Sequence, residues 1–587
     1  MKRTILLAAL LLFCLTSSSY SREAINLKQI DALAKEARET FQIPGLAVGV
    51  VVDDKLVFAK GYGYRNVEEK LPVTHETVFM IGSMTKSFTT FALATLVEQG
   101  KISWDDKVIS YLPDFRLKDS YTTQEMTIRD LVTHVSGLPR HDLVWYLGEN
   151  STEDLYNKLQ FLEPVSGFRS KFNYQNLMYM VAGKVIEKVT GKPWNKWVLA
   201  KIMTPLKMTH SSFSVAELQY LSNVALPYVL KDEEPLQVPY REISHIGPAG
   251  SINSNLIDLT SWMKMLLNFG QFEETTVLGA PHVKQLMSPQ TVAHIFLSQF
   301  PESNHEFLET YGLGWFIQSF QGHYLVAHGG SIDGFQSNLA LLPLDKIGVV
   351  VLTNKGGGIE ATLLTKAILG TLLGYGDGDY LSSDLFTNKG SNEEDSFPTK
   401  EGTSPSHPLE HYAGVYEHPA YGQVEIVYDE GLKMQYHGLT IPLEHLHFDV
   451  FHGEAKSDIL PLKLTLSFDT DWYGNVKQVI LPLPTEGFDL QFVKKPHQNL
   501  FDLEYLKIFE GKYKLANVTV RLFIEDTTLK AEVPGQPLYE LVPQDKKTFT
   551  LKGFDNIHFE FIMKNDTEVE VLKIVQPQGV FKATPCS

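Results

Sequence analysis

The sequence predicts an α+β protein: an antiparallel sheet flanked by helices and carrying a helical subdomain, followed by two small all-β, barrel-like domains. Three observations predict this. Residues 22–375 alternate helical and strand patterns, residues 376–407 lose their apolar residues, and the remainder contains an internal repeat. A chain of 587 residues also exceeds the roughly 250–300 residues at which a single hydrophobic core stops growing. We therefore expect several domains.

The sheet is predicted from strand runs at hairpin spacing. Residues 45–52 form a β-branched run, and residues 55–61 form a second strand after the polar turn Asp53-Asp54. Two strands joined by a tight polar turn form an antiparallel hairpin. The other predicted strands of this domain are 324–328, 336–342 and 348–353, and its clearest helical stretches are 30–41, 177–189 and 256–268.

Residues 376–407 are predicted to be a linker, because Gly, Asp, Ser, Asn, Glu, Pro and Thr dominate there. After it, Tyr412-Ala-Gly-Val-Tyr416 and Phe509-Glu-Gly-Lys-Tyr513 share the pattern aromatic-x-Gly-x-Tyr. Each copy, 408–496 and 497–587, offers about eight short strands, which favours a closed barrel because closure removes exposed edges. One larger sandwich shared by both copies is the alternative.

Residues 1–21 are typical of a secretory signal peptide. They begin with the cations Lys2 and Arg3, continue with an apolar run over 5–15, and end in small residues around Ser21. We therefore expect an exported protein, periplasmic or secreted. A membrane anchor is the alternative, but the apolar run is shorter than the about 20 residues that a bilayer requires.

Composition and charge limit the class of partner. The chain is 43% hydrophobic and 21% charged, with a net charge of −17. This balance is typical of a globular protein. A strongly acidic surface repels phosphate backbones, which argues against nucleic-acid binding. No segment after the leader approaches the length of a transmembrane helix, so we expect no membrane span in the mature chain.

The residues with the clearest chemical signature lie in the segment 81–86, IGSMTK. Gly82 ends a strand pattern and helical spacing begins at Met84, which places Ser83 at a helix N-terminus, where free amides stabilise negative charge. Lys86 lies one turn further on, over the same face. A serine hydroxyl needs a neighbouring base, and a buried lysine can lose its proton. Alone, S-x-x-K is a weak signal; a capping serine beside a surface lysine is the alternative.

Two further segments strengthen this signal. Asn173-Tyr174-Gln175-Asn176 has a tyrosine two residues before an asparagine, and His328-Gly329-Gly330-Ser331 ends an apolar strand. In this order the three motifs resemble the serine β-lactamase and penicillin-binding-protein superfamily, nearest to class C β-lactamases and the CubicO-type serine hydrolases, here with lipocalin-like C-terminal domains. The stretches 127–139 and 248–252 are also similar to the family, and the resemblance spans residues 28–370.

The resemblance implies nucleophilic catalysis through an acyl-enzyme. Ser83 would be acylated, and Tyr174, held near its phenolate by Lys86, would take the serine proton. The backbone amides of Ser83 and Ser331 would form the oxyanion hole. The implied substrate-binding residues are Asn176, His328, Gly329 and Gly330. Neither a metal nor a cofactor is implied.

His328 stands where many relatives carry the lysine of a K-T-G motif, which contributes positive charge for a substrate carboxylate. Histidine is mostly neutral at pH 7, so we expect weaker carboxylate recognition. The resemblance therefore implies an esterase or a peptidase, with D-amino-acid peptides among its candidate substrates. A β-lactamase or D-Ala-D-Ala carboxypeptidase is one alternative, and a catalytically dead binding or scaffold protein is another. The expected partner is a small-molecule or peptide substrate, and a homo-oligomer remains open.

Other catalytic and metal-binding patterns are weak. The sequence contains no G-x-S-x-G motif, which disfavours an α/β-hydrolase. His445, His447 and His452 cluster loosely in the first barrel-like domain. We expect the first two on one strand face and the third in a turn, an arrangement that does not predict a metal site.

Overall fold

The computed structural model describes residues 26–148, 150–295, 308–382, 399–455, 462–472, 474–483, 487–496, 498–544, 546–565 and 567–586. The expected leader at residues 1–21 lies outside the described residues, and so does the segment 383–398 of the expected linker. The chain divides into two compact units, residues 1–393 and 394–587.

The helices and strands of the first unit occur in blocks along the chain. The helices described there are α1 (Leu27–Thr40), α2 (Thr85–Glu98), α3 (Ser120–Glu125), α4 (Ile128–Leu131), α5 (Asp142–Tyr146), α6 (Thr152–Lys158), α7 (Asn176–Thr190), α8 (Trp194–Val198), α9 (Val215–Leu218), α10 (Gly247–Gly250), α11 (Leu256–Leu267), α12 (Ala280–Leu286) and α13 (Glu360–Leu373). The strands described there are β1 (Gly45–Val52), β2 (Lys55–Asn66), β3 (Leu71–Pro72), β4 (Phe79–Met80), β5 (Tyr228–Lys231), β6 (Glu234–Gln237), β7 (Asn253–Ser254), β8 (Gln271–Phe272), β9 (Thr275–Thr276), β10 (Thr291–Ile295), β11 (Leu308–Tyr311), β12 (Phe316–Phe320), β13 (His323–Ile332), β14 (Phe335–Leu342) and β15 (Ile347–Thr353).

The main sheet of this unit has the strand order β10-β11-β12-β13-β14-β15-β1-β2-β3. Its neighbouring strands are antiparallel; for example, β1 pairs with β2 on one side and with β15 on the other. The predicted hairpin at the start of the domain is therefore confirmed, and so is the predicted α+β class. The closing block β13–β15 joins β1 in space, which brings the segment 328–331 into the middle of the sheet.

A buried helix supports the S-x-x-K segment. Every residue of α2 from Thr85 to Leu96 is buried, and the Phe88 ring stacks on Trp262 of α11 with centroids 4.1 Å apart. Burying an aromatic or branched side chain of this size contributes roughly 1.5–3 kcal/mol to stability. On the sheet itself, α1 and α13 cover a contiguous apolar cluster that includes Ile30 and Ile368. The N-terminus of α2 is thus held by packing along the whole helix.

The second unit contains two closed antiparallel barrels, which confirms the predicted barrel-like domains; a single shared sandwich is wrong. The first barrel is β16 (Gly414–His418), β17 (Gly422–Tyr428), β18 (Leu432–Tyr436), β19 (Leu439–His447), β20 (Val450–Ala455), β21 (Leu462–Thr470), β22 (Val476–Leu483) and β23 (Phe488–Lys494). After the short helix α14 (Leu503–Leu506), the second is β24 (Gly511–Leu515), β25 (Val518–Glu525), β26 (Thr528–Glu532), β27 (Tyr539–Pro543), β28 (Thr548–Leu551), β29 (Phe554–Asn565), β30 (Glu568–Gln576) and β31 (Gly579–Cys586).

The internal repeat has the same structural role in both barrels. The Tyr416 hydroxyl donates to the Tyr412 carbonyl at 2.6 Å, and the Tyr513 hydroxyl donates to the Phe509 carbonyl at 2.9 Å. The glycine between each pair opens the first strand with a positive φ, 145° in one copy and 154° in the other, which only glycine adopts readily. The repeated residues therefore start each barrel in the same conformation.

The predicted position of one histidine in the cluster of the first barrel is wrong. His445 and His447 lie on β19, but His452 lies on the adjacent strand β20 and not in a turn. Within the described residues no group of three or more His, Cys, Asp or Glu side chains is placed to hold a metal ion. Among the helices that the structure describes, none is long and apolar enough to cross a membrane.

Candidate active site

Ser83 lies in a single 3₁₀ turn, Gly82–Met84, that leads directly into α2. Gly82 has φ +50°, and a Cβ at this position would lie 2.9 Å from the backbone nitrogen of Ser331. A Cβ on Gly330 would lie 1.9 Å from the Ile81 carbonyl oxygen. These two glycines therefore let the end of β13 pass against the turn, with the backbones of both segments in close approach.

The turn is fixed from two sides by hydrogen bonds. The Ser337 hydroxyl on β14 donates to the Ile81 carbonyl at 2.8 Å. On the other side, the Ile81 amide donates to the Ile252 carbonyl at 3.0 Å. Ser83 is half-buried. Its position is therefore set by the sheet and by the segment after α10, and the predicted oxyanion-hole partners Ser83 and Ser331 belong to segments in contact.

The Lys86 amine is the centre of the site. Its Nζ lies 2.9 Å from Ser83 Oγ, 2.8 Å from Asn176 Oδ1 and 2.9 Å from the Ala249 carbonyl oxygen. The side chain is completely buried. The amine thus joins the predicted nucleophile, the predicted substrate-binding asparagine and a backbone carbonyl of α10. The predicted pairing of Ser83 with Lys86 is present in the geometry.

Burial lowers the pKa of Lys86 well below its usual value, because the charged amine loses its hydration. The positive charge of Arg140 lowers the Lys86 pKa further, and the negative charge of Asp142 partly opposes it. A neutral amine has two N–H donors and one lone pair. The charged amine donates to all three oxygens; once it loses a proton it keeps its bonds to the carbonyl oxygens of Asn176 and Ala249 and presents its lone pair to the Ser83 hydroxyl.

Tyr174 stands beside this amine, with Lys86 Nζ 4.7 Å from the centroid of its ring. Part of the side chain is accessible, but burial raises the pKa of Tyr174 to about 12, although a hydrogen bond with Ser83 and the charge of Arg140 lower it. The resemblance implied that Lys86 holds Tyr174 near its phenolate. Burial opposes that ionisation of the phenol, as it opposes protonation of the Lys86 amine.

His328 lies on β13 with only 2% of its surface exposed. Its Nδ1 donates to the Gly329 carbonyl at 2.6 Å, which leaves Nε2 to accept from the Tyr311 hydroxyl at 3.1 Å. Burial, with a smaller contribution from the charge of Lys86, lowers the pKa of His328 to about 3. This strand therefore brings an uncharged imidazole to the site, as its sequence led us to expect.

The buried neutral state of His328 predicts a pH-dependent stability. Between the ordinary histidine pKa of 6.5 and about 3 in the folded protein, the unfolded chain binds the proton and the folded protein does not. The free energy of unfolding should therefore fall as the pH drops through this window, by about 1.4 kcal/mol per pH unit. The free energy of unfolding can be measured at several pH values from urea unfolding followed by tryptophan fluorescence. Plotted against pH, it should fall less steeply for His328→Gln than for the wild type. His75→Gln, at an exposed position, is the matched control, and an equal slope in all three proteins would contradict the prediction.

Asn176 is held by groups on two sides. Its Oδ1 accepts from Lys86, and its Nδ2 donates to Asp142 Oδ1 at 3.2 Å. Sequence reasoning identified Asn176 and Lys86 but missed Asp142 and the Ala249 carbonyl. A signal for both was present, because Ala249 lies within the family-like stretch 248–252 and Asp142 lies three residues after the stretch that ends at Pro139.

His134, from the stretch 127–139, packs behind Tyr174 rather than in the reacting group. The two rings stack with centroids 4.3 Å apart, and His134 Nδ1 accepts from the Gln175 amide at 3.0 Å. Burial lowers the pKa of His134 well below its usual value. The ring therefore acts as a neutral support for the segment that carries Tyr174 and Asn176.

Comparison with known proteins agrees with this geometry. A family model described as "Beta-lactamase" matches residues 30–370, and one described as "Domain of unknown function (DUF3471)" matches residues 398–500. The unguisins hydrolase ungD of Aspergillus violaceofuscus is 28% identical over 478 residues, which are 74% of this chain and 84% of that protein. Protein flp of Staphylococcus aureus is 28% identical over 335 residues, 56% of this chain and 63% of that protein.

A solved structure is also similar. The octameric penicillin-binding protein homologue from Pyrococcus abyssi matches with a TM-score of 0.53 and 24% identity, covering 80% of this chain and 100% of that chain. At this identity the likeness is one of fold. The serine in the turn before α2 and the buried lysine on that helix, packed against an antiparallel sheet, fit a β-lactamase-like serine hydrolase. The chain belongs to the β-lactamase family, whose model covers more than half of its length.

Proposed function

We propose that this protein is an exported serine hydrolase that acts through an acyl-enzyme on Ser83, with esterase or peptidase activity. The contact between Lys86 Nζ and Ser83 Oγ at 2.9 Å carries the proposal. Lys86 is completely buried and lies at this distance from a half-buried serine hydroxyl. The alternative of a capping serine beside a surface lysine therefore does not apply. The contact is the arrangement that an activated serine nucleophile requires.

The proposed chemistry uses Lys86 as the proton acceptor. Ser83 Oγ attacks the substrate carbonyl carbon while its proton passes to the lone pair of the neutral amine. The negative charge that develops on the carbonyl oxygen is stabilised by the amides of Ser83 and Ser331. The ammonium then returns the proton, directly or through the Tyr174 hydroxyl, to the departing alcohol or amine. A water molecule repeats the sequence and releases the acid from Ser83.

The uncharged His328 supports substrates without a free carboxylate at this strand. Its imidazole is buried, neutral and already hydrogen-bonded to Tyr311 and Gly329. Without a cation here, an ester or a blocked or D-amino-acid peptide is favoured over a β-lactam or a free peptide C-terminus. The name of one relative, a hydrolase that is 28% identical over 74% of this chain, supports hydrolysis as the reaction.

A substrate comparison tests the proposal. Purified protein should react with a fluorophosphonate and gain the mass of one adduct, and peptide mapping should place that adduct on the peptide that contains Ser83. A small p-nitrophenyl ester should be turned over with a kcat/KM at least about tenfold above that of a chromogenic cephalosporin, which corresponds to about 1.4 kcal/mol of preference.

The other outcomes decide among the alternatives. Faster turnover of the cephalosporin would identify a β-lactamase and reject the esterase or peptidase proposal. An unlabelled protein with no turnover would favour a binding or scaffold protein. Export rests on the leader-like residues 1–21, and a homo-oligomer remains a prediction.

A further inference from the structure

The loop that precedes α5 places a positively charged side chain over the ring of Tyr174. The guanidinium carbon of Arg140 lies 5.1 Å from the centroid of that ring. Arg140 Nε donates to Asp142 Oδ2 at 2.6 Å, and the two side chains are 52% and 27% exposed. A partly exposed ion pair thus lies against the Tyr174 ring.

The same carboxylate extends inward to the reacting groups. Asp142 Oδ1 accepts from Asn176 Nδ2 at 3.2 Å and from the Trp145 indole at 2.9 Å. Asn176 in turn accepts from Lys86, whose amine contacts Ser83. A continuous line of polar contacts therefore runs from the half-exposed guanidinium to the nucleophile.

Side-chain hydrogen bonds to backbone carbonyls hold this loop in place. Gln175, between Tyr174 and Asn176, donates from its side-chain amide to the Pro139 carbonyl. His141 adopts a left-handed conformation with φ +50° and contacts the Glu163 carbonyl through Nε2 at 2.9 Å. Because residues with a Cβ adopt this conformation at a cost of about 1 kcal/mol or more, the contacts around His141 specify the placement of its two charged neighbours.

The titratable groups around the base come from several elements. They are Lys86 on α2, His134 after α4, Arg140 and Asp142 at the start of α5, Tyr174 and Tyr179 around the start of α7, Tyr311 on β11 and His328 on β13. Burial holds both histidines neutral and raises the pKa of the tyrosines. Arg140 and Asp142 are therefore the opposed fixed charges that act on the base from outside the buried cluster.

We propose that Arg140 and Asp142 form a positioning pair: Asp142 orients Asn176 toward Lys86 and holds the guanidinium over Tyr174, so that two opposed charges set the pH at which the catalytic base becomes active. The inference rests on the proposed function, because it concerns the base of that reaction. Neither residue belongs to the three motifs of the resemblance.

The directions of the electrostatic effects agree with this placement. The positive charge of Arg140 lowers the pKa values of both Lys86 and Tyr174, and the negative charge of Asp142 raises both. Each charge therefore shifts the pKa of the catalytic base in the same direction, whichever of the two groups accepts the serine proton. Removing the cation leaves the carboxylate uncompensated, whereas neutralising the carboxylate leaves the cation uncompensated.

Opposite shifts in a pH profile test the proposal. The acid limb of log kcat/KM for a neutral p-nitrophenyl ester should move to higher pH in Arg140→Gln, by about half to one pH unit for a partly screened charge near the site. In Asp142→Asn it should move to lower pH by a similar amount, while the new amide can still accept from Asn176. The double variant should return toward the wild-type limb, and Arg140→Lys should lie closer to wild type than Arg140→Gln.

Controls separate this result from a structural effect and from failure of the proposed function. Arg129→Gln breaks the Arg129–Asp105 ion pair of the same unit and should leave the limb unchanged. High salt should reduce both shifts, because it screens half-exposed charges. If the wild type is active but the acid limb of the pH profile stays fixed in both single variants, the inference alone is overturned. The same holds if the limb moves in the same direction in both variants. A wild type that neither reacts with a fluorophosphonate nor hydrolyses the ester overturns the proposed function and the inference with it.

Discussion

Ser83→Ala should lower kcat/KM for the ester by about 10⁴-fold or more and should abolish the fluorophosphonate adduct. Removal of a serine nucleophile in comparable hydrolases leaves only the contributions of binding and of the oxyanion hole. The variant removes one oxygen from a half-buried site and leaves the 3₁₀ turn, both glycine contacts and the buried helix α2 in place. Its thermal unfolding should therefore remain close to that of the wild type, and steady-state kinetics with intact-mass measurement will check the loss.

Ser87 provides a matched control on the same helix. It is buried, whereas Ser83 is half-buried, and the Ser87 hydroxyl donates to the Met84 carbonyl at 2.7 Å. Ser87→Ala should reduce the free energy of unfolding by about 0.5–1.5 kcal/mol, the net value of one hydrogen bond, and should keep both the adduct and the turnover. Equal labelling of wild type and Ser83→Ala would reject Ser83 as the nucleophile.

The fold was predictable where residue type and period agree. The β-branched run at 45–52 has the bounds of β1, because a strand buried on both faces accepts continuous Val and Leu residues. The repeated Gly and Tyr residues likewise predicted two copies of one barrel, since the positive φ at the glycine requires that residue type. The 3₁₀ turn Gly82–Met84 was not predicted, because its conformation depends on the close passage of β13 and not on local propensity.

The site was predictable only as far as its side chains have a recognisable order along the chain. Ser83, Lys86 and Asn176 were found because their types and spacing match known motifs. The Ala249 carbonyl was missed because a backbone acceptor has no residue-type signature, and it lies 163 positions from the lysine that it binds. Arg140 was missed because an exposed arginine in a loop is ordinary until the structure places it over a tyrosine ring.

The identity of the group that accepts the serine proton depends on tertiary burial. The motifs imply a phenolate at Tyr174, but the degree of burial of each group is a tertiary property that no spacing reveals. The burial found here raises the pKa of the phenol to about 12 and lowers that of the Lys86 amine. Two variants can therefore distinguish the two bases.

Lys86→Met should lower kcat/KM by about 10³–10⁴-fold, because it removes the general base while keeping the length of the side chain. Tyr174→Phe should cost only about tenfold, the value of one hydrogen bond near the reacting hydroxyl. Fluorophosphonate labelling rates measured across pH will check both values, because labelling reports the reactivity of Ser83 before any acyl-enzyme is hydrolysed.

A second buried lysine separates catalysis from folding in this experiment. Lys355 Nζ lies 2.6 Å from Glu360 Oε1 and 2.9 Å from the Phe41 carbonyl, so Lys355→Met leaves a carboxylate unpaired and should cost about 3–5 kcal/mol of stability. Its folded fraction should nevertheless label at the wild-type rate, whereas Lys86→Met should fold and fail to label. If Tyr174→Phe instead slowed labelling as severely as Lys86→Met, the phenolate would be the base, and burial at Tyr174 would have to be offset by a charged Lys86 amine at 4.7 Å from its ring.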